Sequence, residues 1–453
     1  MDMNCGRGGG ATGGEAMRTA EERRRVRLAY GRGGLEIEVP ADAEVLEPRL
    51  HPGLADEAAV LREAMRRPLS SPPLRELVPT GASVGVSVCD VTRPFPARRV
   101  LPVLLDELDA AGAGAITVFI ATGTHRACSA AELEAMLGAE VLARVSVVQH
   151  DAFDETRHRD LGRVPGSTAP ARLEAAFLDQ AVRLTTGFIE PHFFAGFSGG
   201  PKMVAPGLAQ LETVLELHSA ARIGDPRASW GVTRGNPVHD AIREVAGRAG
   251  IAFNLDVTLN RDQAITAVFA GDPSASHAAG CEHALRTAMV QVREPYDVVV
   301  TTNSGYPLDQ NLYQTIKGIS AAAQIVRSRG VIVAASECSD GMPAHGRYGE
   351  LLHGARGPAD FLDRLSRAGT AVHDQWQVQV QAQIQLRARV LVHTAGVTPD
   401  DLRAAWLEPV EDVTECLREL AVEGRRIAVL PLGPQTIPYV GEAALTPGAP
   451  SAG

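Results

Sequence analysis

Several patterns that assign a common function are missing from this chain of 453 residues. Its six cysteines form no C-x-x-C pair, which argues against a structural zinc site or a disulfide framework and predicts a reducing, cytoplasmic setting. Aromatic residues make up only 4% and the net charge is −10, so a basic, aromatic-rich surface for nucleic acid is not expected. No apolar run approaches the roughly 20 residues that span a bilayer, so no membrane partner is expected. A small-molecule partner is predicted.

A glycine-rich stretch over residues 187–207 follows a predicted strand. It matches neither G-x-x-x-x-G-K-[ST] nor G-x-G-x-x-G, and no H-E-x-x-H motif is present in the chain. Glycines at this density allow backbone N–H groups to converge on an anion, and a serine and a lysine beside them suit a phosphate. A flexible loop with a solvated lysine is the alternative. The residues of interest in this stretch are His192, Ser198, Gly199, Gly200 and Lys202.

The alternation of predicted strands and helices indicates two α/β domains, because the chain is too long for one core. We expect each domain to be a Rossmann-like, mostly parallel sheet with flanking helices, and the active site to lie in the interdomain cleft. The predicted divisions are a disordered leader over 1–23, an N-terminal domain over 24–292, a C-terminal domain over 293–440 and a flexible tail over 441–453.

Polar side chains follow three predicted strands of the N-terminal domain, near 83–89, 115–121 and 182–187. Right-handed crossovers make these strands parallel, so their carboxyl ends lie at one edge of the sheet. Ligands of open α/β sheets bind at that edge. The side chains that the pattern brings there are Asp90, Arg93, His125 and His192.

In the C-terminal domain, the strands are predicted near 297–301, 330–335, 389–393 and 426–431. A polar loop follows the first of them and leads into a predicted helix. Tyr313 and Gln314 precede Lys317 by four and three residues, so either can share a helix face with it. The alternating run Gln375–Gln385 is predicted as an amphipathic helix.

Taken in order, these motifs resemble the nickel-dependent lactate racemase family, over about residues 25–435. The residues that carry the resemblance are Asp90-Val-Thr-Arg93-Pro94, Gly123-Thr-His125-Arg126, Pro191-His192 through Gly199-Gly-Pro-Lys202, His218 and Tyr313-Gln314-x-x-Lys317. The resemblance implies an isomerase that inverts a 2-hydroxy acid, lactate or a relative, by reversible hydride transfer through a 2-keto acid. It implies a nickel-pincer nucleotide, and hence cofactor-making enzymes as partners.

The resemblance also implies a role for each matched residue. Lys202 would hold the cofactor covalently, His218 would bind nickel, and His125 and His192 would act as acid and base. Asp90 would lie near the cofactor. The matched substrate-binding residues are Arg93, Tyr313, Gln314 and Lys317.

Two other functions compete with a racemase. A zinc hydrolase could be built from three histidines, although no close pair of ligands is present. A non-catalytic protein that binds or carries the cofactor is the second alternative. The presence of both His125 and His192 favours catalysis, because inversion needs a proton acceptor on each side of the substrate.

Overall fold

The computed structural model describes residues 22–49, 51–343, 346–368, 371–422 and 424–441. The predicted leader lies outside the described residues except for its last two positions, and the predicted tail except for its first. Within the described ranges no helix is long and apolar enough to cross a membrane.

The strands, in chain order, are β1 (Arg23–Leu28), β2 (Leu35–Pro40), β3 (Glu44–Val45), β4 (Val84–Cys89), β5 (Ile116–Ala121), β6 (Ser146–Gln149), β7 (His158–Arg163), β8 (Pro170–Glu174), β9 (Val182–Phe188), β10 (Pro191–His192), β11 (Gly196–Phe197), β12 (Phe253–Leu259), β13 (Ile265–Gly271), β14 (Met289–Val292), β15 (Tyr296–Thr302), β16 (Val326–Ala335), β17 (Arg389–His393), β18 (Glu408–Pro409), β19 (Ile427–Leu430) and β20 (Ile437–Val440).

The helices are α1 (Glu57–Arg66), α2 (Leu74–Leu77), α3 (Ala97–Ala110), α4 (Ala130–Leu137), α5 (Ala139–Leu142), α6 (Ala175–Leu178), α7 (Leu211–Leu217), α8 (Ala220–Ile223), α9 (Pro237–Gly247), α10 (Pro273–Ala288), α11 (Leu312–Ala322), α12 (Tyr348–His353), α13 (Pro358–Arg367), α14 (Gln375–Gln385), α15 (Pro399–Ala404) and α16 (Val413–Leu420). Short 3₁₀ turns lie at Glu155–Arg157, Gly200–Met203 and Gly433–Gln435.

The described chain divides into two compact units. The N-terminal unit comprises Arg49–Met289 and Leu365–Trp376, and the C-terminal unit comprises the residues up to Pro48, Val290–Arg364 and Gln377–Gly441. The prediction of an α/β fold with a mostly parallel, helix-flanked sheet in each half is confirmed.

The sheet of the N-terminal unit has the strand order β13-β12-β9-β4-β5-β6. Its strands are parallel except β13, which pairs antiparallel with β12. Every residue of β4 is buried, as expected for a central strand that helices cover on both faces. The carboxyl ends of β4, β5 and β9 therefore lie side by side, and these are the strands that carry the predicted catalytic loops.

The sheet of the C-terminal unit has the order β18-β17-β16-β15-β19-β3, with every pair parallel. Its last strand, β3, comes from the beginning of the described chain. Leu28 and Val39 of the β1–β2 hairpin also pack into the core formed by Val298 and Val300. Residues up to Pro48 thus belong with the C-terminal half, whereas the sequence analysis grouped residues 24–48 with the N-terminal domain.

Helix α14 differs from the amphipathic helix predicted for the glutamine run, because four of its six glutamines are buried. Residues that alternate at every second position do not share one face of an α-helix. The glutamines use their amides inside the protein instead: Gln381 accepts from the Tyr348 hydroxyl and donates to the Ala405 carbonyl. Three more glutamines of the helix are buried, Gln375, Gln377 and Gln379, and the last two glutamines of the run are half-buried.

Candidate active site

The predicted base His125 is held by the predicted cofactor neighbour Asp90. Asp90 directly follows β4, and its Oδ2 lies 2.8 Å from Nδ1 of His125, which stands in the loop after β5. The other carboxylate oxygen accepts from the Thr92 hydroxyl at 2.6 Å. Burial alone would raise the pKa of Asp90, but the contacts with His125 and Thr92 outweigh it and lower the pKa. The side chain of His125 is half exposed, so its ring can reach a ligand.

A second contact joins the loop after β4 to the loop after β9. Arg93 lies 3.7 Å from the Glu190 carboxylate, and both side chains are partly exposed. The loop after β5 is joined to the segment that carries Lys202. The Gly123 N–H donates to the Gly207 carbonyl, and the Gly207 N–H donates to the Lys202 carbonyl. The three strand ends are thus tied to one another within the N-terminal unit.

His192 is oriented differently from His125. Its Nδ1 lies 3.3 Å from the backbone nitrogen of Ala195 and 3.5 Å from that of Phe194. Backbone N–H groups can only donate, so Nδ1 accepts and the neutral ring carries its proton on Nε2. His125 has the opposite arrangement, because Nδ1 faces a carboxylate and Nε2 carries the lone pair.

The glycine turn is packed onto a buried carboxylate. Gly199 and Gly200 have φ angles of 75° and 49°, which only glycine adopts easily. A Cβ at Gly200 would lie 2.4 Å from the His277 ring, so the close packing also requires glycine. The Gly200 N–H donates to Oδ2 of Asp256 at 2.9 Å. Burial raises the pKa of Asp256 to about 7, although hydrogen bonds from Asn254 and Gly200 oppose the rise.

Ser198 is also bonded within the protein. Its hydroxyl donates to the Phe188 carbonyl and accepts from the Glu190 N–H, each at 2.9 Å. The Ser198 carbonyl accepts from Nε2 of His277 at 3.0 Å. The Ser198 hydroxyl and the Gly200 N–H therefore bond within the protein and stabilise the turn. Of the groups predicted to bind an anion, Lys202 is the one that carries a positive charge.

His218 has the environment of a metal ligand. Its Nδ1 donates to the Val214 carbonyl at 2.8 Å, which leaves the Nε2 lone pair for a metal. Burial lowers the pKa of His218 to about 4, and the charge of Lys202 contributes in the same direction. The ring is therefore neutral at physiological pH, as a ligand must be. Phe194 packs edge-on against both His192 and His218, at centroid distances of 4.6 and 5.3 Å.

The predicted substrate residues of the C-terminal unit share one face of α11. Tyr313, Gln314 and Lys317 are half buried, whereas the remaining residues of this helix are buried. The helix begins where the Asn311 side chain accepts from the Gln314 N–H at 3.1 Å. The spacing argument made from the sequence therefore matches the pattern of burial.

Comparison with known proteins identifies the family. Residues 30–231 match the family described as lactate racemase N-terminal domain, and residues 291–437 match lactate racemase C-terminal domain. The lactate racemase of Thermoanaerobacterium thermosaccharolyticum is 31% identical over 422 residues, 91% of this chain and 98% of that protein. The lactate racemase of Lactiplantibacillus plantarum is 31% identical over 383 residues, 83% of this chain and 90% of that protein. The chain belongs to the lactate racemase family.

The solved structures agree with this assignment. The lactate racemase apoprotein from T. thermosaccharolyticum superposes with a TM-score of 0.86 at 30% identity, covering 92% of this chain and all of that one. A Thermotoga maritima protein at 18% identity and a TM-score of 0.65 shares the fold, over 86% of this chain. As a member of the lactate racemase family, the chain is an isomerase of the racemase class.

The lactate racemase family implies a metal cofactor, and the N-terminal unit of this member offers groups that fit one. The Nε2 atom of His218 offers a buried, neutral lone pair to a metal, and Lys202 follows the Gly199–Gly200 turn in the same unit. The zinc-hydrolase alternative requires three histidines, and no three histidines converge as a ligand set in the described part of the chain.

Sequence reasoning missed several residues of this region. His373 donates to or accepts from the Thr124 hydroxyl at 3.1 Å, and Trp376 lies 4.7 Å from the His218 ring. Both belong to the segment Leu365–Trp376, which joins the N-terminal unit although it follows β16 in the chain. No local pattern marks such a return. Asp256 had a weak signal, since polar residues alternate through the otherwise apolar strand β12.

The amino-acid composition gives a stronger indication of which residues have a chemical role. Of the 44 lysines and arginines, only two are lysines, Lys202 and Lys317. Arginine stays protonated at every physiological pH and cannot replace an amine nucleophile. A chain that otherwise uses arginine for its cations keeps lysine at the two positions assigned to cofactor and substrate.

Proposed function

We propose that this member racemises a short 2-hydroxy acid, lactate or a close relative, with a nickel-pincer nucleotide bound covalently to Lys202. The observation that supports this proposal best is the pair of oppositely oriented histidines. His125 presents a basic Nε2 and His192 presents an Nε2–H. A reaction that removes a proton on one side of a substrate and delivers one on the other needs this complementary pair.

In one direction, His125 Nε2 takes the hydroxyl proton of the substrate. The resulting imidazolium is stabilised by the Asp90 carboxylate, 2.8 Å from Nδ1. His192 acts on the opposite enantiomer, and its ring must exchange a proton between turnovers. Each histidine thus serves as base for one enantiomer and as acid for the other.

Substrate orientation falls to the cationic and polar side chains. Arg93 can hold a carboxylate in two-pronged fashion, and a substrate carboxylate would replace its 3.7 Å contact with Glu190. Lys317, with Tyr313 and Gln314 on the same helix face, completes the proposed substrate-binding set. These contacts fix the substrate so that its carbon–hydrogen bond faces the cofactor.

The cofactor, when bound, supplies an electron-poor ring that accepts and returns hydride. Lys202 would attach it, and His218 Nε2 would bind its nickel. The Gly199–Gly200 turn would position Lys202, and Asp90 would lie near the cofactor. The cofactor-making enzymes are the implied partners.

The test is racemisation by full-length protein produced together with cofactor-making enzymes. Enantiopure lactate, 2-hydroxybutyrate, malate, phenyllactate and a sugar acid are incubated separately, and the product enantiomers are separated by chiral chromatography. Conversion of at least one acid in both directions, with none by protein made without the cofactor-making enzymes, is the expected result. A protein that carries the adduct and converts none of them would instead support the carrier alternative.

A further inference from the structure

A second group of side chains that could bind a metal lies in the N-terminal unit, and it is made of residues other than those proposed for the cofactor and substrate. His158 is the first residue of β7 and Glu174 the last of β8, and the two are opposite partners in the antiparallel ladder. His150 directly follows β6. One ligand atom from each of the three residues lies within 4.8 Å of the others.

The hydrogen bonds of both histidines are those of metal ligands. His158 Nδ1 lies 2.8 Å from the Asp154 carbonyl, and His150 Nε2 lies 3.1 Å from the Ala209 carbonyl. Carbonyls only accept, so each ring donates its proton there and turns its other nitrogen inward. Such a bond to a carbonyl usually fixes the tautomer of a histidine that binds a metal.

The inward nitrogens meet the carboxylate. His150 Nδ1 lies 3.1 Å from Glu174 Oε2. His158 Nε2 is buried and has no hydrogen-bond partner among the described residues. A buried ring nitrogen without a partner is unfavourable, and a cation between the three groups would satisfy it.

We propose that His150, His158 and Glu174 bind a divalent transition-metal ion of the zinc class. Two imidazoles and one carboxylate are a known ligand set for zinc, and water or another donor completes the coordination. Arg157 lies 3.1 Å from Glu174 Oε2, and its guanidinium also donates to the Gln149 carbonyl at 2.9 Å. The second carboxylate oxygen of Glu174 remains for the ion, or the partly exposed arginine moves aside.

The role of this ion is structural, because the site holds the segment between Lys202 and His218. His150 bonds Ala209, and the Glu174 N–H donates to the Leu208 carbonyl at 2.9 Å. The side chains of His150 and Glu174 are at most 2% exposed, so a substrate would not reach them. The ion would fix the course of the chain that positions both proposed cofactor ligands.

The experiment uses full-length protein made without cofactor-making enzymes, freed of metal by chelation and titrated with Co²⁺. One equivalent should bind per chain and give the visible absorption of tetrahedral cobalt. His158→Gln, at a half-buried position, should abolish that signal, and zinc should displace cobalt from the wild type. His218→Ala should keep the signal, which separates this site from the proposed nickel ligand. Exposed His353→Gln is the matched control.

Thermal unfolding gives a second readout. Zn²⁺ should raise the midpoint of the wild type and of His218→Ala but not that of His158→Gln, because only a ligand that binds the folded state stabilises it. Equal cobalt binding by wild type and His158→Gln would overturn the proposal. Absence of stoichiometric binding by the wild type would do so too, and would leave His150 and Glu174 as an ion pair only. If His158→Gln unfolds, His158→Asn with the same two readouts decides.

Discussion

The carboxyl edges of the two sheets have similar backbones and opposite uses of their polar side chains. In the C-terminal unit, Asp309 Oδ2 accepts from the N–H groups of Gly31 and Glu337 at 2.7 and 3.1 Å. The Ser304 hydroxyl donates to the Leu432 carbonyl at 2.8 Å. These side chains bond the backbone of the neighbouring loops. In the N-terminal unit, Asp90 instead holds the ring of His125, whose other nitrogen is exposed to a ligand.

The two units also differ in the number of histidines that they bury. Every described histidine that is buried belongs to the N-terminal unit: His150, His192, His218, His239 and His277. Burying a neutral imidazole requires partners for its nitrogens. A doubly wound sheet offers the same edge in both units, and the side chains decide whether it is structural or chemical.

The largest expected effect separates the two lysines. Lys202→Arg should abolish the cofactor adduct and all racemisation, because a guanidinium cannot form the proposed covalent bond. Intact-mass measurement of co-produced protein checks the adduct independently of activity. Lys317→Arg is the matched control. The adduct should remain in this variant, and the KM for the substrate should rise. An adduct that survives in Lys202→Arg would contradict the assignment.

The next effect concerns the two histidines. His125→Ala and His192→Ala should each reduce racemisation by more than the roughly 10²–10⁴-fold that one general base contributes, since a full turnover uses both. Nickel content, measured by elemental analysis, should not change, because His218 is the proposed ligand. Near-normal interconversion in both directions by either variant would exclude the two-base mechanism.

Much of the fold could be predicted because the spacing of apolar residues and the residues that end a strand are local properties of the sequence. Apolar runs predict strands β4, β5 and β9. Because the carboxyl ends of parallel strands lie at one edge of a sheet, the sequence also predicts that Asp90 and His125 share that edge. The partner of a strand is not local, however. The β1–β2 hairpin is formed by neighbouring residues, but its apolar face does not specify that it packs against Val298 and Val300.

The site was predicted only where a motif marked it. His277 and Asp256, which support the glycine turn, stand on α10 and β12, more than fifty residues after it. Their contacts depend on how helix and sheet pack, and no spacing encodes that. The β7–β8 hairpin was not predicted at all, because its strands have no regular alternation of apolar residues.

A matched pair of aspartates tests the comparison between the two edges directly. Asp90→Asn should lower racemisation by about 10- to 100-fold through loss of the His125 orientation, with little change in stability. Asp309→Ala should lower the free energy of unfolding by about 1–3 kcal/mol, since two partly buried backbone N–H groups lose their acceptor. Asp309→Asn keeps an acceptor and should cost less. Chemical unfolding and kinetics on the same preparations measure both. A large loss of stability in Asp90→Asn would mean that Asp90 has a structural role like that of Asp309, and would contradict the difference between the two edges.

The smallest expected effect is on the pH dependence of stability, and it belongs to the N-terminal unit. Burial lowers the pKa of His277 to about 4, with a smaller contribution of the same sign from Arg243 and an opposing one from its bond to Ser198. Between about pH 6.5 and 4 the unfolded chain therefore binds a proton that the folded chain does not. The stabilisation is complete above pH 6.5 and is lost as the pH falls towards 4.

For one such histidine, the free energy of unfolding should fall by about 1 kcal/mol between pH 7.5 and 5.5. His277→Gln should lose that part of the slope, so its stability deficit relative to the wild type should be smaller at pH 5.5 than at pH 7.5. The exposed His353→Gln should run parallel to the wild type at both values. Chemical unfolding of the three proteins at the two pH values measures this. A His277→Gln deficit that is constant with pH would mean that His277 takes up its proton over the same pH range in the folded and unfolded chains, and the N-terminal unit would then owe its acid sensitivity to other groups.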